Sequence, residues 1–174
     1  MHTLLEKLTG GDRRSIGRSN EVVAEVLAEP GLFGLLFEGL LDADPLVRMR
    51  SADAVEKITA SHPEYIQPFK PRLLGQVASI EQQEVRWHTA QLIPRLALNA
   101  EERSWAVAIL ESYLADRSSI VKTFAMQALA DLAEQDPSLV GTIVPRLEAL
   151  TREGTPAMRS RGRKLLARLQ QRMP

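Results

Sequence analysis

Four segments of this chain repeat one pattern, and that repetition limits the fold more than any other feature. PLVRMRSADAVEKI from Pro45, QEVRWHTAQLIPRL from Gln83, SIVKTFAMQALADL from Ser119 and PAMRSRGRKLLARL from Pro156 each run from an apolar residue to a base, then through small and apolar residues. The bases are Arg48, Arg86, Lys122 and Arg159, spaced 38, 36 and 37 residues apart. A near-constant period of this length belongs to stacked supersecondary units that bury their apolar faces against one another. Within each segment the apolar face recurs at i, i+4, i+7, i+8 and i+11, the period of an α-helix. It is Val47, Ser51, Ala54, Val55 and Ile58 in the first segment, and Val85, Thr89, Leu92, Ile93 and Leu96 in the second. The third gives Val121, Ala125, Ala128, Leu129 and Leu132, and the fourth Met158, Gly162, Leu165, Leu166 and Leu169. The second position is small in all four, which lets a partner helix approach closely.

Start signals agree with this register. Asp44-Pro45 and Thr155-Pro156 each place an N-cap residue before a proline at the first helical position, Ser118 holds the equivalent place in the third segment, and Gln82 departs from the pattern. A further helix is predicted upstream of each, at about 31–41, 64–78, 100–115 and 138–150, with Pro30, Pro63 and Pro137 as punctuation and Asn99 with Glu102 as a capping box. Pro71 and Pro145 lie inside two of these helices, each in a Pro-Arg-Leu triplet, and are expected to bend them.

An A helix bent by proline, a short turn with Asp44 or Asp116, and a B helix opening on Val-Arg resembles the HEAT repeat, over residues of about 30 to 171. The period is closest to that of compact bacterial HEAT-like proteins. The resemblance implies an all-α fold, a right-handed α-α superhelix (solenoid) of about four helix hairpins at 30–62, 63–98, 99–136 and 137–174, forming one folding unit. Residues 1–29 fall outside the repeat and read as an N-terminal helical cap, with helices near 2–8 and 20–28 around the loop TGGDRRSIGRS. The resemblance also implies that the recurring bases pair with turn aspartates as a ladder, for which Asp42, Asp44 and Asp116 supply part.

Composition narrows the chemistry. Hydrophobic residues make up 44% and charged residues 25%, so the chain has the means to bury a core, and its 22 basic and 22 acidic side chains cancel. Absence of cysteine removes disulfides and thiol chemistry. No signal-peptide pattern opens the sequence and no stretch approaches a membrane span, so the expectation is a cytoplasmic monomer without membrane contact. His2, His62 and His88 are too far apart in sequence to suggest a metal site, the Gly10-Gly11 loop lacks the ending of a P-loop, and Gly-x-Ser-x-Gly is absent. The carboxylate pairs Asp42 with Asp44, Glu101 with Glu102, and Asp131 with Glu134 read as caps and solvated charge. No catalytic residue, metal or cofactor is expected.

In HEAT-like solenoids the B helices line the concave surface. With the apolar stripe inward, the opposite face carries Met49, Asp53 and Glu56; Trp87, Gln91 and Pro94; Thr123, Gln127 and Ala130; and Ser160, Lys164 and Ala167, flanked by Arg50, His88, Phe124 and Arg161. Met49, Arg50, Asp53, Trp87, His88, Gln91, Phe124 and Gln127 are therefore the candidate partner-binding residues, with Trp87 as anchor. Trp105, in an A helix, is assigned to the core. From Thr151 onward seven bases face one acid, Glu153, and Arg159, Arg161, Arg163, Lys164 and Arg168 form a candidate basic patch. The function expected is a non-catalytic scaffold for a protein partner. The alternative is a nucleic-acid-binding protein resembling the HEAT-like alkylpurine DNA glycosylases, carried by Trp87, Arg86 and the basic helix; no catalytic set of that family transfers position by position.

Overall fold

The computed structural model describes residues 3–173, and among them every regular element is helical. The ten α-helices are α1 (Thr3–Glu6), α2 (Ser19–Ala28), α3 (Phe33–Glu38), α4 (Pro45–Ser61), α5 (Lys70–Arg72), α6 (Gln83–Leu92), α7 (Ala100–Tyr113), α8 (Ser119–Gln135), α9 (Val140–Glu153) and α10 (Pro156–Gln170). Short 3-10 and π turns extend several of them. The chain divides into two compact units, residues 1–97 and 98–174. The division falls beside the repeat boundary expected before Asn99.

In the first unit α4 is the central element, packed against α2, α3 and α6. Asp44 caps it by accepting from the Leu46 amide at 2.8 Å, with Pro45 at the first helical position. Val47, Ser51, Ala54, Val55 and Ile58 are all fully buried. The small residue in the stripe has a visible reason: a Cβ on Gly39, at the end of the preceding helical segment, would lie 2.2 Å from Ser51 Oγ. Gly39 and Ser51 together let the two helical segments of the first hairpin touch backbone to side chain. Arg95, just after α6, ties that helix to α4: it donates to the Glu56 carbonyl at 2.7 Å, to Thr59 Oγ1 at 2.8 Å and to the Glu56 carboxylate at 2.6 Å.

The expected helix at 64–78 is broken rather than bent. It comprises a 3-10 segment Pro63–Phe69, the single turn α5, and a π turn Leu73–Val77. Pro63, Pro68 and Pro71 crowd it, so three backbone donors are missing within nine residues. Aromatic packing fills the gap: Phe69 stacks on Phe37 at 4.5 Å between ring centroids, and Phe33 meets Tyr65 edge-on at 5.6 Å.

The second unit keeps its helices whole. Asn99 and Glu102 form both bonds of the expected capping box at 2.8 Å. Ser118 and Thr155 cap α8 and α10 by accepting from Val121 and Met158 amides. Pro145 sits within an α-helix assigned continuously from Val140 to Glu153, so one proline does not do here what three do in residues 63–71. Gly162 is the close-approach position of α10; a Cβ there would lie 1.9 Å from Thr151 Oγ1 on α9. Across both units every stripe residue is buried except Leu166, which is half-buried. Trp105 corrects the sequence reading: it is 46% exposed, because the buried side of α7 is carried by Ala106, Leu110 and Tyr113, and Trp105 lies off that line.

Candidate ligand cleft

The loop between α1 and α2 is held in place by a single side chain. Arg50, on α4, donates from Nε to the Ser15 carbonyl at 3.1 Å, from Nη1 to the carbonyls of Leu8 at 2.9 Å and Gly10 at 2.7 Å, and from Nη2 to that of Asp12 at 3.1 Å. A loop that curls inward must find donors for its carbonyls, and a guanidinium supplies five in a fixed fork. Glycine makes the curl possible: Gly10, Gly11 and Gly17 have φ of +67°, +82° and +57°, and a Cβ on Gly17 would lie 2.7 Å from Arg50 Cζ. Arg50 is therefore 2% exposed, which overturns its assignment to the outward face. Its column borders the apolar stripe, and here that edge is covered by the loop.

Under this loop, α4 and α6 frame a cleft of about 490 Å³. Arg13, Arg14, Ser15 and Ile16 line it from the loop, Met49, Arg50 and Asp53 from α4, and Glu84, Trp87 and His88 from α6. Its volume lies in the range of small-ligand sites, on the order of 300–1,000 Å³. Arg13 and Arg14 are exposed and their guanidinium groups make no hydrogen bond or ion pair among the described residues. Met49 and Trp87 are half-buried, as apolar walls of a cleft should be.

His88 is 9% exposed, so it too is less outward than the sequence reading placed it. The reason is a local bond: Nδ1 lies 2.6 Å from the Glu84 carbonyl one turn earlier, which draws the ring against α6. A carbonyl only accepts, so Nδ1 carries the proton and Nε2 presents a lone pair in the neutral ring. Burial lowers the His88 pKa below its ordinary value, opposed by the Glu84 bond and by the charges of Asp53 and Glu56, so the neutral form is favoured. Nε2 is 4.0 Å from Asp53 Oδ1. Asp53 takes its bonds on the other oxygen, where Oδ2 accepts from Ser19 Oγ at 2.6 Å and Lys57 Nζ at 2.7 Å. Oδ1 and Nε2 thus form a pair of acceptors at the cleft with no donor among the described residues.

Of the expected partner-binding residues, the structure brings Met49, Arg50, Asp53, Trp87 and His88 to this cleft. Gln91 is half-buried and does not line it; its amide donates to the Trp87 carbonyl at 3.2 Å. In the second unit Phe124 and Gln127 are half-buried, and Ala130, expected outward, is fully buried. Gln127 is engaged on both ends, accepting from Arg161 at 2.7 Å and donating to Asp131 at 3.0 Å. Sequence reasoning missed Arg13, Arg14, Ser15 and Ile16, because nothing in a glycine-rich connector says which helix it folds over, and it missed Glu84, which lies in the first turn of α6 outside the positions taken from the helical wheel.

The basic patch is partly spent. Arg168 pairs with Asp131 at 2.7 Å and with Glu134, Arg172 reaches Glu134 at 3.5 Å, and Arg161 is held by Gln127. Asp131 and Glu134 therefore serve as partners for α10 rather than as solvated charge. Arg159, Arg163 and Lys164 are exposed and unpaired among the described residues. At Arg48 the expected pairing with a turn aspartate takes another form. Arg48 donates to the carbonyls of Asp42 at 2.8 Å and Ala43 at 3.1 Å, and to Gln82 Oε1 at 2.9 Å, and Arg86 donates to the Ile80 carbonyl at 3.2 Å. The Asp42 carboxylate is already used by the Asp44 amide at 2.8 Å. Among the described residues no group of three or more His, Asp or Glu side chains is placed to hold a metal ion, and no helix is long and apolar enough to cross a membrane.

No protein-family model matches the chain, and no curated protein matches it. It is similar to the crystal structure of an engineered protein from a structural genomics consortium, at 18% identity and a TM-score of 0.65, covering 97% of this chain and 78% of that one. At that identity the likeness speaks for the fold alone. The chain is an all-helical protein.

Proposed function

We propose that the chain is a non-catalytic scaffold of HEAT-like hairpins, a solenoid that acts as a cytoplasmic monomer and holds a protein partner through the α4 and α6 face. The observation that carries this reading is Trp87, half-buried in the wall of an open cleft beside Met49. Large amphipathic side chains in such positions are the usual anchors of protein interfaces. The test is Trp87→Ala in the source cell, followed by partner capture. Loss of capture with unchanged helical signal and melting temperature is expected. A loss of roughly 3–5 kcal/mol in stability would instead assign Trp87 to the core, and full capture by a stable variant would remove this face as the interface.

A second reading, nucleic-acid binding, is favoured by the exposed bases Arg13, Arg14, Arg159, Arg163 and Lys164, unpaired among the described residues. Phosphate contacts make binding fall steeply with salt. Titration with a generic duplex at two salt concentrations separates the readings, because flat curves remove this one.

A further inference from the structure

The lining of the cleft specifies more than an apolar anchor. Three guanidinium groups, Arg13, Arg14 and Arg50, face two carboxylates, Asp53 and Glu84, and Asp53 already holds Lys57. A cationic group is repelled by that balance and an anionic one is drawn to the two free arginines of the loop. At the other wall stand Asp53 Oδ1 and His88 Nε2, two acceptors 4.0 Å apart without a donor among the described residues. Acceptors at this spacing are within reach of one nitrogen carrying two hydrogens, each bond about 2.9 Å long. A hydroxyl or a ring N–H brings one hydrogen and leaves the second acceptor bare, at a cost when water is excluded. A primary amide brings two and carries no charge.

We propose that this cleft receives an acidic segment of a protein partner bearing an asparagine or glutamine side chain, with the carboxylate on Arg13 and Arg14, the amide on Asp53 and His88, and the intervening chain against Trp87. The inference rests on the scaffold reading above for the partner being a protein. Electrostatic complementarity of this kind sets specificity and association rate more than raw affinity, so the expected signal is discrimination between segments.

The experiment uses the full chain carrying Trp105→Phe, which leaves Trp87 as the sole tryptophan and alters an exposed position. Its fluorescence is titrated at low salt with three blocked pentapeptides: Glu-Ala-Asn-Ala-Glu, Lys-Ala-Asn-Ala-Lys and Glu-Ala-Leu-Ala-Glu. The first is expected to bind at least about tenfold tighter than either of the others, and Arg13→Ala with Arg14→Ala to weaken it by a similar factor, with the circular dichroism spectrum unchanged. Equal binding of the leucine peptide overturns the amide, equal or tighter binding of the lysine peptide overturns the charge, and no binding of the first peptide overturns the site. Failure here is distinguishable from failure of the scaffold reading. A partner lost by Trp87→Ala yet retained by the double arginine variant keeps the scaffold and removes this inference. Peptide discrimination with no partner capture does the reverse.

Discussion

One aligned column has opposite fates in the two units. In the first, Arg50 and His88 are buried polar groups, one clasping loop carbonyls and the other bonded to Glu84. In the second, the same column holds Phe124 and Arg161, both half-buried, with Arg161 reaching across to Gln127. The first unit uses polar side chains to fold a loop over its helices and so forms one wall of an open cleft. The second uses charge at helix faces, where Arg168 and Arg172 meet Asp131 and Glu134. Equivalent positions in a repeat thus share backbone register without sharing a job, and the job is set by what covers the edge of the stripe.

The comparison breaks down first in the core, where the units should respond alike. Ala54→Glu and Ala128→Glu each force an unpaired carboxylate into a position at most 1% exposed, and both should lose roughly 3–5 kcal/mol in denaturant unfolding. The exposed Arg152→Ala should be nearly silent beside them. Unequal losses at the two alanines would show that the stripe is not one structural feature repeated.

The column itself should separate the units. Arg50→Met leaves the Leu8, Gly10, Asp12 and Ser15 carbonyls without their donor and is expected to cost roughly 2–4 kcal/mol, with faster amide exchange confined to residues 8–18. Phe124→Met, a volume-preserving change at a half-buried site, should cost under about 1.5 kcal/mol. Similar costs at both would dissolve the contrast. At the next scale, Asn99→Ala removes one arm of the capping box on α7 and should cost about 1 kcal/mol. Smallest is Arg168→Gln, at about 1 kcal/mol or less because its partners are at a partly exposed face; a larger value would mean that the second unit depends on charge as the first depends on Arg50.

These magnitudes track what the sequence disclosed. The stripe was legible because periodicity reports on backbone geometry, and it placed Val47 through Leu169 with Leu166 as the exception. The caps at Asp44, Asn99, Ser118 and Thr155 were legible because each acts on its own helix. The cleft was half legible: Met49, Asp53, Trp87 and His88 follow from the helical wheel, whereas Arg13 and Arg14 reach them through a fold-back that periodicity does not encode. Trp105 was misplaced because its helix was read as core without fixing which face of α7 is buried, and that face is carried by Ala106, Leu110 and Tyr113.

The Arg50 clasp also sets an order of events. Its bonds span 35 to 42 residues of chain, so the carbonyls at 8–15 have only water as donor until α4 exists to present the guanidinium. During synthesis, which delivers the chain from its amino terminus, residues 8–18 must wait as an open, hydrated strap while the first hairpin assembles. Closing it follows the formation of α4, and a protease specific for arginine can time it: Arg13 and Arg14 are expected to be cut readily in fragments ending before Arg50 and more slowly in the full chain.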